Sequence, residues 1–334
     1  MAEKPLKILA YTRRKDETVF FDKFSRQYEV DVVQSEEVPT EETSALAEGY
    51  GAISIITTPM SASVLKALYE RGVRFISTRS IGYDHIDVKA AKALGIRIGN
   101  VSYAPDAVSN YTLMFILMAI RNIKNIARLA LAQDYAIQSD FVQGRILQNL
   151  TVGVAGTGRI GRRVIEHLSG FGCPILAYDK YESEDVRRLA RYVSWEDMCA
   201  SCDIITLHMP AARDNHHIVN AASLAKMKDG VIIINTARGS LIDTAAFMDA
   251  VESGKIGSAA LDVVEEEGYL YYNNLRGKVL PNRDIAILKS YPNVILTPHT
   301  AFYTDQSISD MVENSIKSCI AFQRGEENPW EVGE

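Results

Sequence analysis

The sequence predicts an α/β protein of two doubly wound domains, each a sheet of parallel strands with helices on both faces. Short β-branched runs alternate with helical segments along nearly the whole chain, the mark of repeated βαβ units. Between one such run and one such helix stands Gly156-x-Gly158-x-x-Gly161, a turn that opens onto a helix N-terminus. At 334 residues the chain exceeds one typical core and suits two, each with a sizeable apolar interior. Hydrophobic residues make up 47% and charged ones 23%, a globular balance that excludes a disordered or fibrous chain. The net charge of −6 argues against a general nucleic-acid binder, which needs a basic face to neutralise phosphates.

In the first hundred residues, strands are expected at 7–11, 30–33, 52–56, 74–78 and 97–99, with helices between them, for instance at 61–71. None of the turns there carries the spaced glycines. A long apolar helix is expected from about Ala107 to Leu129, capped by Asp106 after Pro105, and leads into the second half. From Thr151 strands recur at 152–155, 175–178, 204–207, 231–235, 258–262 and 294–297, six in order, as a complete Rossmann domain requires. One last helix, about 305–322, has no strand of its own and is expected to return to the first domain. Residues 1–101 with 301–334 then form a flavodoxin-like domain, and 102–300 the inserted Rossmann domain.

The glycines carry the first chemistry. Gly156 permits a tight turn, Gly158 lets the backbone approach a pyrophosphate, and Gly161 lets helix and strand pack closely. The helix that follows has Val164, Ile165 and Leu168 on one side, and its N-terminal N–H groups attract phosphate. The next strand ends at Asp179, about 20 residues past the glycines, where a dinucleotide fold needs an acceptor for the adenosine ribose hydroxyls. Strand, turn, helix, strand and acid in register separate this from a chance GxGxxG. They predict NAD rather than NADP, since a 2′-phosphate at Asp179 would meet a like charge.

The N-terminus lacks the apolar core of a signal peptide, and the most apolar helix, 111–120, is too short to span a bilayer, so a cytoplasmic address is expected. Asn110-Tyr-Thr and Asn149-Leu-Thr match glycosylation sequons by chance on that reading. Cys199-Ala-Ser-Cys202 has the spacing of a redox or zinc half-site, but no second CxxC or histidine cluster completes it. Core packing is expected for both, and for Cys173 and Cys319; no metal is expected.

Three polar clusters fall at the C-terminal ends of expected strands, where open α/β sheets bind ligands. They are Asn235-Thr236-Ala237-Arg238-Gly239, Leu261-Asp262 through Glu265-Glu266-Glu267, and Thr297-Pro298-His299-Thr300. Taken singly, the arginine is more often a surface ion pair, the histidine a satisfied core group and the acids a solvated run. Together they suit carbonyl reduction: Arg238 can grip a carboxylate bidentately, and His299 can deliver a proton. A carboxylate beside His299 would favour the imidazolium that a proton donor requires.

GTGRIG with Asp179, NTARGSLID, ALDVVEEE and TPHTAFYT, in this order and spacing, closely resemble the NAD-dependent D-isomer-specific 2-hydroxyacid dehydrogenases, and within them the D-lactate dehydrogenase branch. The resemblance runs from Lys7 to about Phe322. It implies an oxidoreductase that reduces a small 2-oxoacid to the (R)-2-hydroxyacid with NADH. Pyruvate to D-lactate is the first expectation, and longer aliphatic or aromatic 2-oxoacids the alternative. A different class, an NAD-sensing corepressor-like binding protein, shares the fold; steady turnover of pyruvate discriminates.

By matching position, the resemblance assigns Arg238 to the 2-oxoacid, His299 to acid/base work and Glu267 as the histidine's partner, with Glu265 and Glu266 as competitors. In STRSIGYDHID the backbone N–H groups of Ile81 and Gly82 would hold the substrate carboxylate, and Tyr103 and Phe302 would line the pocket. Ile55 stands where the branch can carry a tyrosine over the substrate, which would widen the pocket. Cofactor contacts would come from Gly156, Gly158, Arg159, Ile160, Gly161, Asp179, Met209, Pro210, Thr236, Ala237 and Asp262. A homodimer, joined through the long helix after Asp106, is implied as well. Beyond that assembly, the resemblance implies a small-molecule hydroxyacid partner, with no nucleic acid and no membrane.

Overall fold

A computed structural model describes residues 6–137, 142–270 and 273–333. The chain divides into two compact units at Ala104/Pro105 and Phe302/Tyr303, where the sequence expectation put the divisions at 101/102 and 300/301.

The first unit runs β1 (Lys7–Ala10), α1 (Thr18–Gln27), β2 (Asp31–Gln34), β3 (Ala52–Ile55), α2 (Ala62–Glu70), β4 (Phe75–Thr78), α3 (Val88–Leu94) and β5 (Arg97–Gly99). Its five strands lie in the order β2-β1-β3-β4-β5, all parallel, the flavodoxin-like arrangement. Ser61 and Asp87 cap α2 and α3 through their side chains, and Gly95, at φ +77°, ends α3. The C-terminal helix (Asp305–Arg324) belongs to this unit and packs on α1, β3 and β4. Its Ile308, Met311, Val312, Ile316 and Cys319 are buried at helical spacing, which is why a helix without a strand of its own is stable here.

The second unit opens with α4 (Asp106–Ile120) and α5 (Ile123–Leu131). The single long helix expected from Ala107 to Leu129 is therefore two, broken at Asn122, whose φ of +52° lies outside the helical region. Asp106 does not cap α4 through its side chain; its carboxylate accepts a 2.8 Å hydrogen bond from Arg163 Nε instead. There follow β6 (Val152–Ala155), α6 (Arg159–Ser169), β7 (Ile175–Tyr178), α7 (Glu184–Arg187), β8 (Arg191–Tyr192), α8 (Trp195–Ser201), β9 (Ile204–Leu207), α9 (Ala221–Lys226), β10 (Val231–Asn235), α10 (Thr244–Glu252), β11 (Ile256–Leu261), α11 (Arg283–Ser290) and β12 (Val294–Leu296).

Its strands are all parallel in the order β12-β11-β10-β9-β6-β7-β8, a doubly wound Rossmann sheet whose winding order reverses at β6. The two-residue β8 adds a seventh strand to the six expected. Because β6, β9 and β10 are buried on both faces, they read as unbroken apolar runs. Cys199 lies inside α8 and Cys202 at its end, both in the apolar core, and burial pushes each thiol up to about 12. They remain protonated packing groups. No helix among the described residues is long and apolar enough to cross a membrane.

Candidate active site

The glycine turn sits at the end of β6, at the reversal point of the sheet. Gly156 has φ +96°, and a Cβ there would come within 2.7 Å of the His208 carbonyl. A Cβ on Gly161 would lie 1.9 Å from Gly156 O, so helix and turn touch only because it is absent. At Gly158, the N-cap of α6, an added Cβ meets nothing within 4 Å, and no side chain caps the helix. The first turn of α6 thus presents backbone N–H groups beside an open backbone surface, which fits a pyrophosphate.

Asp179, half-buried at the end of β7, accepts hydrogen bonds from Thr157 N (2.5 Å), Thr157 Oγ1 (3.1 Å) and Tyr181 N (3.0 Å). Its carboxylate therefore anchors the glycine turn; a carboxylate has about four acceptor sites, and three are used. Arg159 and Ile160 open α6, Met209 is buried after β9 and Pro210 is exposed beside it. Under the turn lies His208, whose ring Nε2 is 2.9 Å from Thr206 Oγ1 and whose pKa burial drives down to about 3. Nothing in the sequence flagged this neutral support. These features together suit a dinucleotide.

The second cluster gathers at the ends of β10, β11 and β12. Asn235 closes an Asx turn, its Oδ1 accepting from Ala237 N (3.0 Å) and its Nδ2 donating to Arg238 O (2.8 Å). This presents Arg238 on a fixed backbone, with Nη1 donating to Ala237 O (2.7 Å). Gly239 lies against the next loop, where a Cβ would fall 2.1 Å from Val264 C. Thr236 Oγ1 is 2.9 Å from Thr112 Oγ1 of α4, and Tyr111 of the same helix reaches Thr300 Oγ1 at 3.1 Å. These braces from α4 carry no sequence signal.

Glu267 Oε1 lies 2.8 Å from His299 Nδ1, while its Oε2 accepts from Val264 N (2.9 Å). Of its neighbours, Glu265 turns to His217 and Thr244, and Glu266 is exposed. His299 itself sits at φ +52°, a left-handed conformation that a non-glycine residue keeps only when its surroundings impose it. Asp262 imposes it. That residue, 1% exposed, accepts from Thr297 Oγ1, Thr300 N (2.9 Å) and Ala301 N (2.8 Å), and its carbonyl accepts from His299 N (2.8 Å). Expected as a cofactor contact, Asp262 is placed as the core of the loop that carries His299. The Phe302 ring stands edge-on to His299, 6.4 Å between centroids.

In the first unit, Ser80 Oγ donates to Gly82 O (2.7 Å) and Asn100 Nδ2 to Ile81 O (2.8 Å). With both carbonyls fixed, the N–H groups of Ile81 and Gly82 have no hydrogen-bond partner among the described residues. Two adjacent amides so placed suit a carboxylate. Just before them Arg79, wholly buried, forms a bidentate pair with Glu17 (2.9 and 3.1 Å) and donates to Ser54 Oγ (3.0 Å) and Tyr11 O (3.1 Å). This anchor was not foreseen. Tyr103 is half-buried. Ile55 is 0% exposed in the apolar core with Leu9, Tyr11 and Ile53, so its side chain packs the sheet rather than lining an open wall.

Residues 113–301 match the family described as D-isomer specific 2-hydroxyacid dehydrogenase, NAD binding domain. A D-specific alpha-keto acid dehydrogenase of Enterococcus faecium is 47% identical over 80% of this chain and 82% of its own. An aromatic 2-oxoacid reductase of Clostridium sporogenes is 40% identical over 95% of this chain and 96% of its own. Among solved structures, a D-lactate dehydrogenase from Treponema pallidum superposes with a TM-score of 0.88 at 32% identity, covering 98% of this chain and all of the other (100%). The glycine turn, the acid at the end of β7 and the match over more than half the length agree, and the chain belongs to the NAD-dependent D-isomer-specific 2-hydroxyacid dehydrogenases.

Proposed function

We propose that this enzyme reduces a small 2-oxoacid to the (R)-2-hydroxyacid with NADH in preference to NADPH, with pyruvate as the first-choice substrate and D-lactate as product. The reading rests above all on one observation: a histidine held in a strained conformation with a carboxylate 2.8 Å from its Nδ1. With Nδ1 committed to Glu267, proton delivery to the substrate oxygen falls to Nε2. NADH, when bound, supplies the hydride to C2.

The chain's own groups do the rest. Arg238 offers a planar fork to the carboxylate and the adjacent carbonyl oxygen, drawing charge toward the oxygen that takes the proton. The paired amides of Ile81 and Gly82 are assigned to the carboxylate, and Phe302 and Tyr103 to the substrate's side chain. The glycine turn with Arg159, Ile160, Met209, Pro210, Thr236 and Ala237 is assigned to the dinucleotide, and Asp179 to its adenosine ribose. Hydride to carbon and proton to oxygen together balance the reduction, leaving His299 to regain a proton from solvent.

A second reading, reduction of aromatic 2-oxoacids, is favoured by the likeness to the Clostridium sporogenes reductase. NADH oxidation with pyruvate, 2-oxoisocaproate and phenylpyruvate separates the two. Highest kcat/KM for pyruvate supports the first; a tenfold preference for phenylpyruvate replaces it with the second.

A homodimer is part of the proposal. The amphipathic α5 buries no residue, and Leu131, Tyr135, Ile137 and Ile146 are 87%, 80%, 94% and 68% exposed. That much apolar surface along one stretch calls for a covering partner. Sedimentation velocity should return a species of two chains; a single-chain species at micromolar concentration would contradict it.

A further inference from the structure

Among the described residues, a cluster of side chains able to ligate a metal lies outside the machinery assigned above. His216, His217 and Glu265 each offer a ligand atom within 4.8 Å of the others. We propose that these three residues bind one divalent transition-metal ion of the zinc class.

Neighbouring side chains in an extended chain point to opposite sides, which would keep two adjacent histidines apart. Here His217 has φ +51°, and the two rings come together, stacked with centroids 3.9 Å apart and 27° between planes. Glu265 completes the set from a different segment, the loop after β11, with Oε1 2.6 Å from His217 Nε2. Its other oxygen is already fixed by Thr244, through N at 3.2 Å and Oγ1 at 2.6 Å, so little side-chain entropy remains to be lost on binding. Burial alone would raise the Glu265 pKa, but hydrogen bonds from Thr244 and His217 hold it below its ordinary value, so the ligand is ionised at neutral pH. Asp243, with Oδ2 4.0 Å from His217 Nδ1, adds negative charge behind the ring.

Two imidazoles and one carboxylate are the donors of three-ligand zinc sites, in which water takes the fourth position. The same set disfavours magnesium and calcium, which take oxygen ligands in larger number. His216 is exposed and gives the ion its way in. Binding exchanges the His217–Glu265 hydrogen bond for two bonds to metal and releases any proton held between them to solvent. Affinity must therefore fall as the solution is acidified.

The untagged, chelator-washed enzyme titrated with zinc sulfate in a calorimeter tests this, alongside His216→Ala. The parent is expected to bind about one ion per chain, and the variant at least roughly tenfold more weakly, with metal-free NADH turnover unchanged. His216 is chosen because it stacks on the surface and its loss spares the fold. Absence of saturable binding by the parent, or equal affinity in the variant, overturns the proposal. Neither result depends on the identity of the 2-oxoacid.

Discussion

At the scale of single residues, chemistry clustered in sequence was legible in full and chemistry assembled across it only in part. The glycines and Asp179 could be read directly, because a strand, a turn and a helix impose their spacing within about 25 residues. Arg238, Glu267 and His299 follow three separate strands; each alone resembles an ordinary surface or core group, their joint placement suggested carbonyl chemistry for Arg238 and His299, and only the resemblance singled out Glu267 as the histidine's expected partner. Glu17 and Arg79 are further apart still and gave no signal, since a buried ion pair is visible only once its two elements meet. Asp262 was legible as a site residue, but not in the part the fold gives its carboxylate, which shapes the loop under His299. One consequence belongs here. Arg238→Lys keeps the charge but loses the fork, so KM for the 2-oxoacid should rise by about 10- to 100-fold, as two lost charge-assisted contacts imply. Steady-state kinetics check it, and unchanged KM and kcat would make Arg238 a structural residue.

At the scale of elements, strands β5, β6, β7, β9 and β10 fall where the sequence predicts, and β6, β9 and β10 owe their sharp ends in sequence to burial on both faces. Two elements escaped. The break at Asn122 has neither proline nor glycine to announce it, and β8 is two residues long, below the reach of any period. The junction of β6 with α6 yields the firmest element-level prediction. In Gly161→Ala the new methyl must displace Gly156 O, 1.9 Å away, which opens the turn beside the first amides of α6. NADH affinity measured by fluorescence titration should fall at least roughly tenfold, the size of one lost charge-assisted contact. Retained affinity would mean that the turn has room the geometry denies.

At the scale of the whole molecule, the candidate groups fall in two units with parallel sheets of different order: one holds the glycine turn, Arg238, Glu267 and His299, the other the adjacent amides of Ile81 and Gly82 and the buried Arg79–Glu17 pair. That anchor sets an acid limit. Burial raises the Glu17 pKa, but Arg79 and Arg14 outweigh it and hold the group below its ordinary 4.5. A carboxyl whose folded pKa is depressed stabilises in full above its unfolded value and loses that contribution as pH falls through the folded one. Stability should therefore hold down to about pH 5 and decline below 4.5. Glu17→Gln should cost about 3–5 kcal/mol at neutral pH, having left Arg79 buried without its partner, and should flatten the acid decline. Urea unfolding across pH reads both, and equal stability of variant and parent at neutral pH would contradict the anchor. The central claim is that His299, oriented by Glu267, delivers the proton. Its most direct test is the turnover of His299→Gln with NADH and pyruvate, set beside NADH binding to the same variant. The account predicts a fall in kcat of about 10²- to 10⁴-fold with NADH affinity preserved; turnover close to that of the parent would contradict it.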